Sequence, residues 1–280
     1  MREFFKESIN ITNNSIILAI PVIIFLEILN LYTTYSNPNT LPKMGLALVT
    51  ILFMFGVFSA GWFYMVKKAI EVSKKVFVLD TDRAKAILNL FKTIPEGIGK
   101  YTLSFIGVCL IFTVLVQFVA TPIVFFLGMK LIGQLDASAL QNIQEIASDP
   151  NITSNANLLL DKVSPEFIIY MGKWSLLLMA VTSIISYLLM LWVPEVIYCT
   201  KNPFIALFKS IGKLFKDFKT TFVLFFILWF IGFVLLFLST FTMLNPITYI
   251  FMSIIMFYYV VYYVLVIFLY YEKKYVGKDE

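Results

Sequence analysis

Six long apolar stretches restrict the folds open to this chain more than any other feature. They cover residues 14–35, 44–66, 101–128, 167–199, 219–243 and 247–271. Each is long enough to cross the hydrocarbon core of a bilayer as a helix, which takes roughly 20 apolar residues. Only 14% of the residues are charged, and the alternating pattern of a membrane β-barrel is missing. The sequence therefore predicts an all-α, polytopic membrane protein with six transmembrane helices in a single membrane domain, residues 1–280.

The basic residues predict how these helices are oriented. Eighteen of the 22 lysines and arginines fall in the N-terminal segment, the second and fourth connections and the C-terminal tail. Since cytoplasmic connections carry the excess of positive charge, we expect both termini to be cytoplasmic and the protein to lie in the inner (cytoplasmic) membrane. The net charge of +5 then belongs to a face that meets anionic lipid head groups, and nucleic acid is not an expected partner.

A short basic phrase occurs twice, as "NLFKTIP" at residues 89–95 and as part of "ALFKSIGKLFKDF" at residues 206–218. A helical wheel of the later copy places its phenylalanines, Leu207 and Ile211 on one face and its lysines on the other, which predicts an interfacial helix. The earlier copy keeps this phase at an offset of 117 residues. It has Pro95 where the later copy has Gly212, so we expect it to be broken or kinked. The lysines that would contact anionic head groups are Lys92, Lys209, Lys213 and Lys216.

The opening residues "EFFKESINI" resemble the same phrase more loosely. All three copies precede a helix that runs outward from the predicted cytoplasmic side. We therefore expect three hairpin units, at residues 1–78, 79–202 and 203–280, with amphipathic helices before transmembrane helices 1, 3 and 5. The alternative is three unrelated interfacial helices, because basic amphipathic segments often precede membrane spans.

Two charged residues lie at similar depths within predicted spans, Glu27 in the first and Lys173 in the fourth. An unpaired charge at the centre of a bilayer costs at least about 2.5 kcal/mol, so we expect the two to pair directly or through water. The pair has two interpretations, an ion-responsive site or an interhelical clasp.

Glu195 lies near the cytoplasmic end of the fourth span, at the depth of Lys67 and Lys68, and is expected to meet a lysine or water.

Other polar residues in the spans are candidates for interior positions. They are Gln117, Ser175, Thr182, Ser186, Tyr258 and Tyr262. They would line a polar path or join helices by hydrogen bonds, and we favour packing because Gly56 and Ala60 also form a small-residue contact face. Pro21, Pro122 and Pro194 could break or kink their helices, as prolines do at the substrate sites of transporters, but prolines are also ordinary in membrane helices. The one long external connection, residues 131–166, is acidic and predicts a short helix near residues 137–147.

Several kinds of chemistry lack the residues they need. The chain has no histidine, which excludes Ser-His-Asp and Cys-His catalysis and His-ligated zinc or haem. Phosphate-binding and dinucleotide-binding motifs and Cys-x-x-Cys are also missing. We therefore expect no enzyme activity, no cofactor and no metal site.

The phrases "NNSIILAIPVIIF" at the first span and "KNPFIALFKSIGKLF" before the fifth carry a resemblance. The layout is similar to uncharacterised bacterial and archaeal six-helix proteins that resemble the membrane domain of glycerophosphoryl diester phosphodiesterases. The catalytic domain of those enzymes is absent here, so the resemblance implies a membrane module without hydrolase activity. The sequence predicts a non-enzymatic, lipid-facing scaffold or accessory membrane subunit; the alternative is a transporter of small solutes or lipids.

Overall fold

A computed structural model describes residues 2–36, 40–133, 165–242 and 245–276. These residues are almost entirely helical and contain no strand, which confirms the all-α prediction. The helices are α1 (Arg2–Asn14), α2 (Ala19–Tyr35), α3 (Leu41–Ser73), α4 (Asp80–Leu88), α5 (Ile94–Leu115), α6 (Thr121–Leu131), α7 (Pro165–Leu189), α8 (Trp192–Tyr198), α9 (Pro203–Lys216), α10 (Phe218–Thr242) and α11 (Pro246–Tyr271).

Within the described ranges, six helical stretches are long and apolar enough to cross a membrane. They are Ile16–Tyr35, Leu41–Ser73, Asp80–Leu131, Pro165–Tyr198, Phe218–Thr242 and Pro246–Val276. This confirms the predicted six-span membrane protein. The short helix predicted near residues 137–147 and most of the acidic connection 131–166 lie outside the described residues. The cytoplasmic position of the termini, the interfacial position of α1, α4 and α9, and the three-unit repeat stay predictions.

Each proline predicted to interrupt a span follows an irregularity in the helix. Pro21 is the third residue of α2, after a 3₁₀ turn at Ile16–Leu18, and Pro122 is the second residue of α6, after a π-helical turn at Val116–Ala120. Pro194 is the third residue of α8, which starts after α7 has ended. First-turn amides have no partner within the helix, so proline costs little at these positions. Of the two alternatives, interruption is the one that the structure shows at each of the three prolines.

The two copies of the basic phrase differ as Pro95 predicts. A 3₁₀ segment, Asn89–Thr93, separates α4 from α5, and Pro95 is the second residue of α5. By contrast, α9 continues without a break through Gly212.

The described chain divides into two compact units. The larger contains residues up to Phe112 and from Tyr187 onward. Its most buried element is the second half of α11, where Val266, Phe268 and Tyr271 are each at most 1% exposed. Helices α1, α2, α3, α8 and α10 all pack against α11.

Small residues let α3 and α5 approach closely in the larger unit. A Cβ atom added to Gly56 would lie 2.7 Å from Cγ1 of Ile106, and one added to Gly97 would lie 2.7 Å from the Ala60 carbonyl oxygen. Ala60 itself is fully buried. The predicted contact face formed by Gly56 and Ala60 is therefore present, and its partner is α5.

The smaller unit, residues 113–186, contains the end of α5, α6 and most of α7. The Trp174 ring lies against Gly128, where an added Cβ would be 2.0 Å from Cη2 of the indole. The Tyr170 hydroxyl donates a hydrogen bond of 3.3 Å to the carbonyl oxygen of Gly133.

Candidate functional site

A buried carboxylate lies where three helices of the larger unit meet. Glu195 of α8 is 1% exposed, and its Oε2 atom lies 2.6 Å from Nζ of Lys213 on α9. The same oxygen accepts a hydrogen bond from the Tyr271 hydroxyl of α11. The Cys199 thiol lies 3.1 Å from the Tyr271 oxygen and 3.8 Å from Nζ of Lys213. We call Glu195, Cys199, Lys213 and Tyr271 the Glu195 cluster.

Local sequence explains how α8 and α9 present these side chains. The Trp192 indole donates a 2.9 Å hydrogen bond to the carbonyl oxygen of Pro203, which ties the start of α8 to the start of α9. The side-chain oxygen of Asn202 accepts from the amides of Phe204 and Ile205 and so caps α9. The connection between the two helices is thereby fixed, and Glu195 faces Lys213.

Tyrosine rings surround the Lys213 ammonium group. Its Nζ atom lies 4.8 Å from the ring centre of Tyr271 and 5.3 Å from that of Tyr275, both within range of a cation–π interaction. The Tyr275 hydroxyl donates a 2.8 Å hydrogen bond to Oδ2 of Asp217, whose Oδ1 lies 3.1 Å from Nζ of Lys274. The cluster therefore extends into a network of alternating charges and phenols after the end of α9.

The physical role of this arrangement follows from burial. A carboxylate taken out of water is costly unless a charge and hydrogen-bond donors compensate it, and Glu195 has an ammonium group and a phenol as donors. Glu195, Lys213 and Tyr271 come from α8, α9 and α11. Moving any one of these helices away would therefore leave a charged group without one of its partners. The geometry suits a polar clasp. Glu195 meets a lysine, but this lysine is Lys213 of α9 and neither Lys67 nor Lys68, the lysines predicted to lie at its depth.

Lys213 corrects the prediction made from the helical wheel. The wheel groups Lys213 with Lys209 and Lys216 as contacts for anionic head groups, but the Lys213 ammonium points to Glu195. Lys209 and Lys216 are exposed, as is Lys92 in the earlier copy of the phrase. The wheel could not separate these lysines, because it describes one helix without its neighbours.

The apolar side of α9 is also divided. Ala206, Leu207 and Leu214 are buried, and they pack α9 against the rest of the larger unit. Three of its phenylalanines are instead exposed: Phe204 at 58%, Phe208 at 70% and Phe215 at 58%. Together with Lys209 and Lys216 they form an outward surface, which we call the α9 surface.

A second charged group joins α3 to α5. The Tyr64 hydroxyl donates a 2.7 Å hydrogen bond to Oε1 of Glu96, and Nζ of Lys100 lies 2.5 Å from the same oxygen. Glu96 and Lys100 are each nearly half exposed, so the pair adds little to stability.

Glu27 and Lys173 belong to the two different compact units, Glu27 to the larger and Lys173 to the smaller. Both side chains are exposed. The predicted pairing of these residues stays a prediction.

Four of the six polar residues predicted to be interior have exposed side chains: Gln117, Ser175, Thr182 and Ser186. The Thr182 hydroxyl donates to carbonyl oxygens of its own helix, so it needs no interior partner. All four residues lie in the smaller unit, residues 113–186, and their predicted interior positions stay predictions. Tyr262 is buried, and the partly buried Tyr258 donates a 2.6 Å hydrogen bond to Oδ1 of Asn13.

Sequence reasoning did not single out Tyr271, Tyr275 or Asp217. The available signal was the tail "FLYYEKKY", in which the two tyrosines are four residues apart and flank two lysines. The last span contains many tyrosines, and only the packing of α11 against α8 and α9 distinguishes these two.

No family model, curated protein or solved structure matches the chain. The resemblance to the membrane domain of glycerophosphoryl diester phosphodiesterases stays a prediction.

Proposed function

We propose that this protein is a non-enzymatic, multi-pass membrane protein that serves as a lipid-facing scaffold or accessory subunit. Its lysine-rich end would hold anionic head groups of the cytoplasmic leaflet. The observation that supports this proposal best is the α9 surface, where exposed phenylalanines adjoin exposed lysines.

The composition of that surface fits the boundary between head groups and acyl chains. Exposed phenylalanines are unfavourable in water but favourable at the edge of the hydrocarbon region. Lysines beside them reach the head groups, and each charge near an anionic membrane contributes about 1 kcal/mol. The buried side of α9 holds this surface in place, because the ion pair of Lys213 with Glu195 ties α9 to α8 and the hydrogen bond from Lys213 to the Tyr271 hydroxyl ties it to α11.

The transporter alternative has less support. Its polar path requires hydroxyl and amide side chains inside the protein, and the candidates are divided between the two compact units, with Gln117, Ser175, Thr182 and Ser186 in the smaller one. The remaining two, Tyr258 and Tyr262, lie on α11. No specific observation favours transport over the scaffold role.

The test compares the lipids retained by the full chain after extraction from membranes in native nanodiscs. Replacing both Lys209 and Lys216 by Gln is expected to lower the ratio of phosphatidylglycerol to phosphatidylcholine around the protein several-fold, since each lost charge removes about 1 kcal/mol of attraction. Lys43→Gln, a single lysine at the start of α3 on the predicted external side, is the control and should leave the ratio unchanged. An unchanged ratio in the double variant would reject the proposed lipid contact.

The depth of the α9 surface is a second measurement. A spin label at Phe208→Cys, in a chain with Cys109 and Cys199 replaced by Ala, should show the oxygen accessibility of the upper acyl region. A label accessible to a water-soluble reagent instead would contradict the proposed anchoring.

A further inference from the structure

A polar cavity of about 190 Å³ lies apart from the Glu195 cluster, where α1, α3 and α4 come together. Its polar lining residues are Asn14, Ser15, Ser73, Lys75, Asp80 and Arg83. Since a water molecule occupies roughly 30 Å³, the cavity has room for a group the size of several waters.

The position of the cavity gives its depth relative to the apolar spans. Ser15 directly precedes the first span, which begins at Ile16, and Ser73 is the last residue of the second span. A cavity at the ends of two adjacent spans lies at the level where head groups meet the hydrocarbon region. Residues 16 and 17 also begin an apolar groove lined by Ile20, Ile23 and Phe257. The start of the first span thus borders the two environments that one phospholipid requires.

The cations of the cavity are available for a ligand. Among the described residues, neither Arg83 nor Lys75 has an ion pair, although Asp80 lines the same cavity. Arg83 is half-buried, and it is one of only two arginines in the chain. A guanidinium group binds phosphate through two parallel hydrogen bonds, and an ammonium group adds a second positive charge.

The neutral and acidic groups of the lining restrict the ligand further. Asn14, Ser15 and Ser73 offer hydroxyl and amide groups, and the Asp80 carboxylate accepts hydrogen bonds. A bare phosphate would be repelled by Asp80, whereas a phosphate ester with hydroxyl groups can satisfy both the cations and the carboxylate. We propose that this cavity binds the phosphate of an anionic ligand, and that the ligand is a phospholipid head group with hydroxyl substituents, such as phosphoglycerol.

Native mass spectrometry of the full chain in detergent, titrated with phosphatidylglycerol, tests the site. Loss of a charge-assisted hydrogen-bond pair predicts that Arg83→Gln weakens binding about tenfold or more. Lys75→Gln, at an exposed residue, should weaken it in the same direction. Lys85→Gln, which removes the same charge from α4 outside the cavity lining, is the matched control. Thermal unfolding of each variant shows that the fold is retained.

Two further measurements distinguish a lipid head group from a soluble phosphate as the ligand. One is lipid binding by the Asp80→Asn variant, and the other is thermal stabilisation by inorganic phosphate. If the carboxylate accepts from head-group hydroxyls, Asp80→Asn weakens phosphatidylglycerol binding. Stabilisation by inorganic phosphate that Arg83→Gln abolishes, without lipid binding, would overturn the assignment to a lipid head group and would assign the site to a soluble phosphate instead.

Equal losses in Arg83→Gln and Lys85→Gln, or no loss in Arg83→Gln and Lys75→Gln, would overturn the proposal. The variants used here leave Lys209 and Lys216 intact, so failure of this site is distinguishable from failure of the α9 surface.

Discussion

At the scale of single residues, the ion pair between Glu195 and Lys213 is the most consequential contact. Its two ends differ in environment, since Glu195 is 1% exposed and the Lys213 side chain is 26% exposed. A buried pair of this kind is costly to break, because removing one partner leaves the other charge without compensation. The cost therefore depends on which partner is removed.

This asymmetry gives the first prediction. Lys213→Met should lower the free energy of unfolding by about 3 kcal/mol, because Glu195 stays buried with only the Tyr271 hydroxyl as a donor. Glu195→Gln should cost less, roughly 1–2 kcal/mol, since the longer, partly exposed lysine can turn toward water. Denaturation in mixed detergent micelles, followed by tryptophan fluorescence, measures both values.

Lys209→Met is the control for this comparison. It removes the same charge from the same helix at an exposed position and should change stability by less than about 0.5 kcal/mol. Equal costs for Lys209→Met and Lys213→Met would show that the pair adds nothing specific. The double variant Glu195→Gln with Lys213→Met should cost less than the sum of the single variants.

At the scale of elements, the packing of α3 on α5 depends on residues without side chains. A Cβ atom at Gly97 would lie 2.6 Å from Cβ of Tyr64 and 2.7 Å from the carbonyl oxygen of Ala60. The carbonyl belongs to the backbone of α3 and cannot rotate away. The two helices would have to separate to admit even a methyl group.

The second prediction follows from this contact. Gly97→Ala should destabilise the protein by roughly 1–3 kcal/mol, as overpacked cores do. Gly99, two residues further along α5, has nothing within 4 Å of an added Cβ. Gly99→Ala should therefore leave stability unchanged or raise it by up to about 1 kcal/mol through better helix propensity. Unfolding midpoints of the two variants in the same detergent check the difference, and similar midpoints would refute the close-contact explanation.

At the scale of the whole molecule, the six candidate spans among the described residues predict that both termini lie on one side of the membrane, because an even number of crossings returns the chain to its starting side. The distribution of lysines predicts that this side is the cytoplasm. The Glu195 cluster, the α9 surface and the cavity beside Arg83 lie at span ends or on segments that the same rule assigns to the cytoplasm.

The third prediction concerns this topology. A green fluorescent protein fused after Glu280 should fluoresce in a bacterial host, since that reporter folds in the cytoplasm. Alkaline phosphatase fused in the first connection, after Thr40, should be active, because that connection is predicted to be external. A dark fluorescent protein together with an inactive phosphatase would show that the orientation is the reverse of the predicted one. The proposed lipid contacts would then lie in the outer leaflet.

Some features of this protein could be predicted from its amino-acid sequence alone. The six spans follow from the length of apolar stretches, and the interruptions follow from Pro21, Pro95, Pro122 and Pro194, because both properties depend on consecutive residues. The need of Glu195 for a lysine or water also follows from its place at the end of an apolar stretch, since an uncompensated charge is costly there. The sequence did not predict that Lys213 is the partner.

Only the tertiary structure decided which groups meet. Lipid tails and protein interiors are both apolar, so hydropathy does not distinguish the exposed Phe208 from the buried Leu207 on the same helix. Lys213 differs from its exposed neighbours Lys209 and Lys216 because α9 meets α8 and α11 at Glu195 and Tyr271, a relation between distant segments that no local pattern encodes.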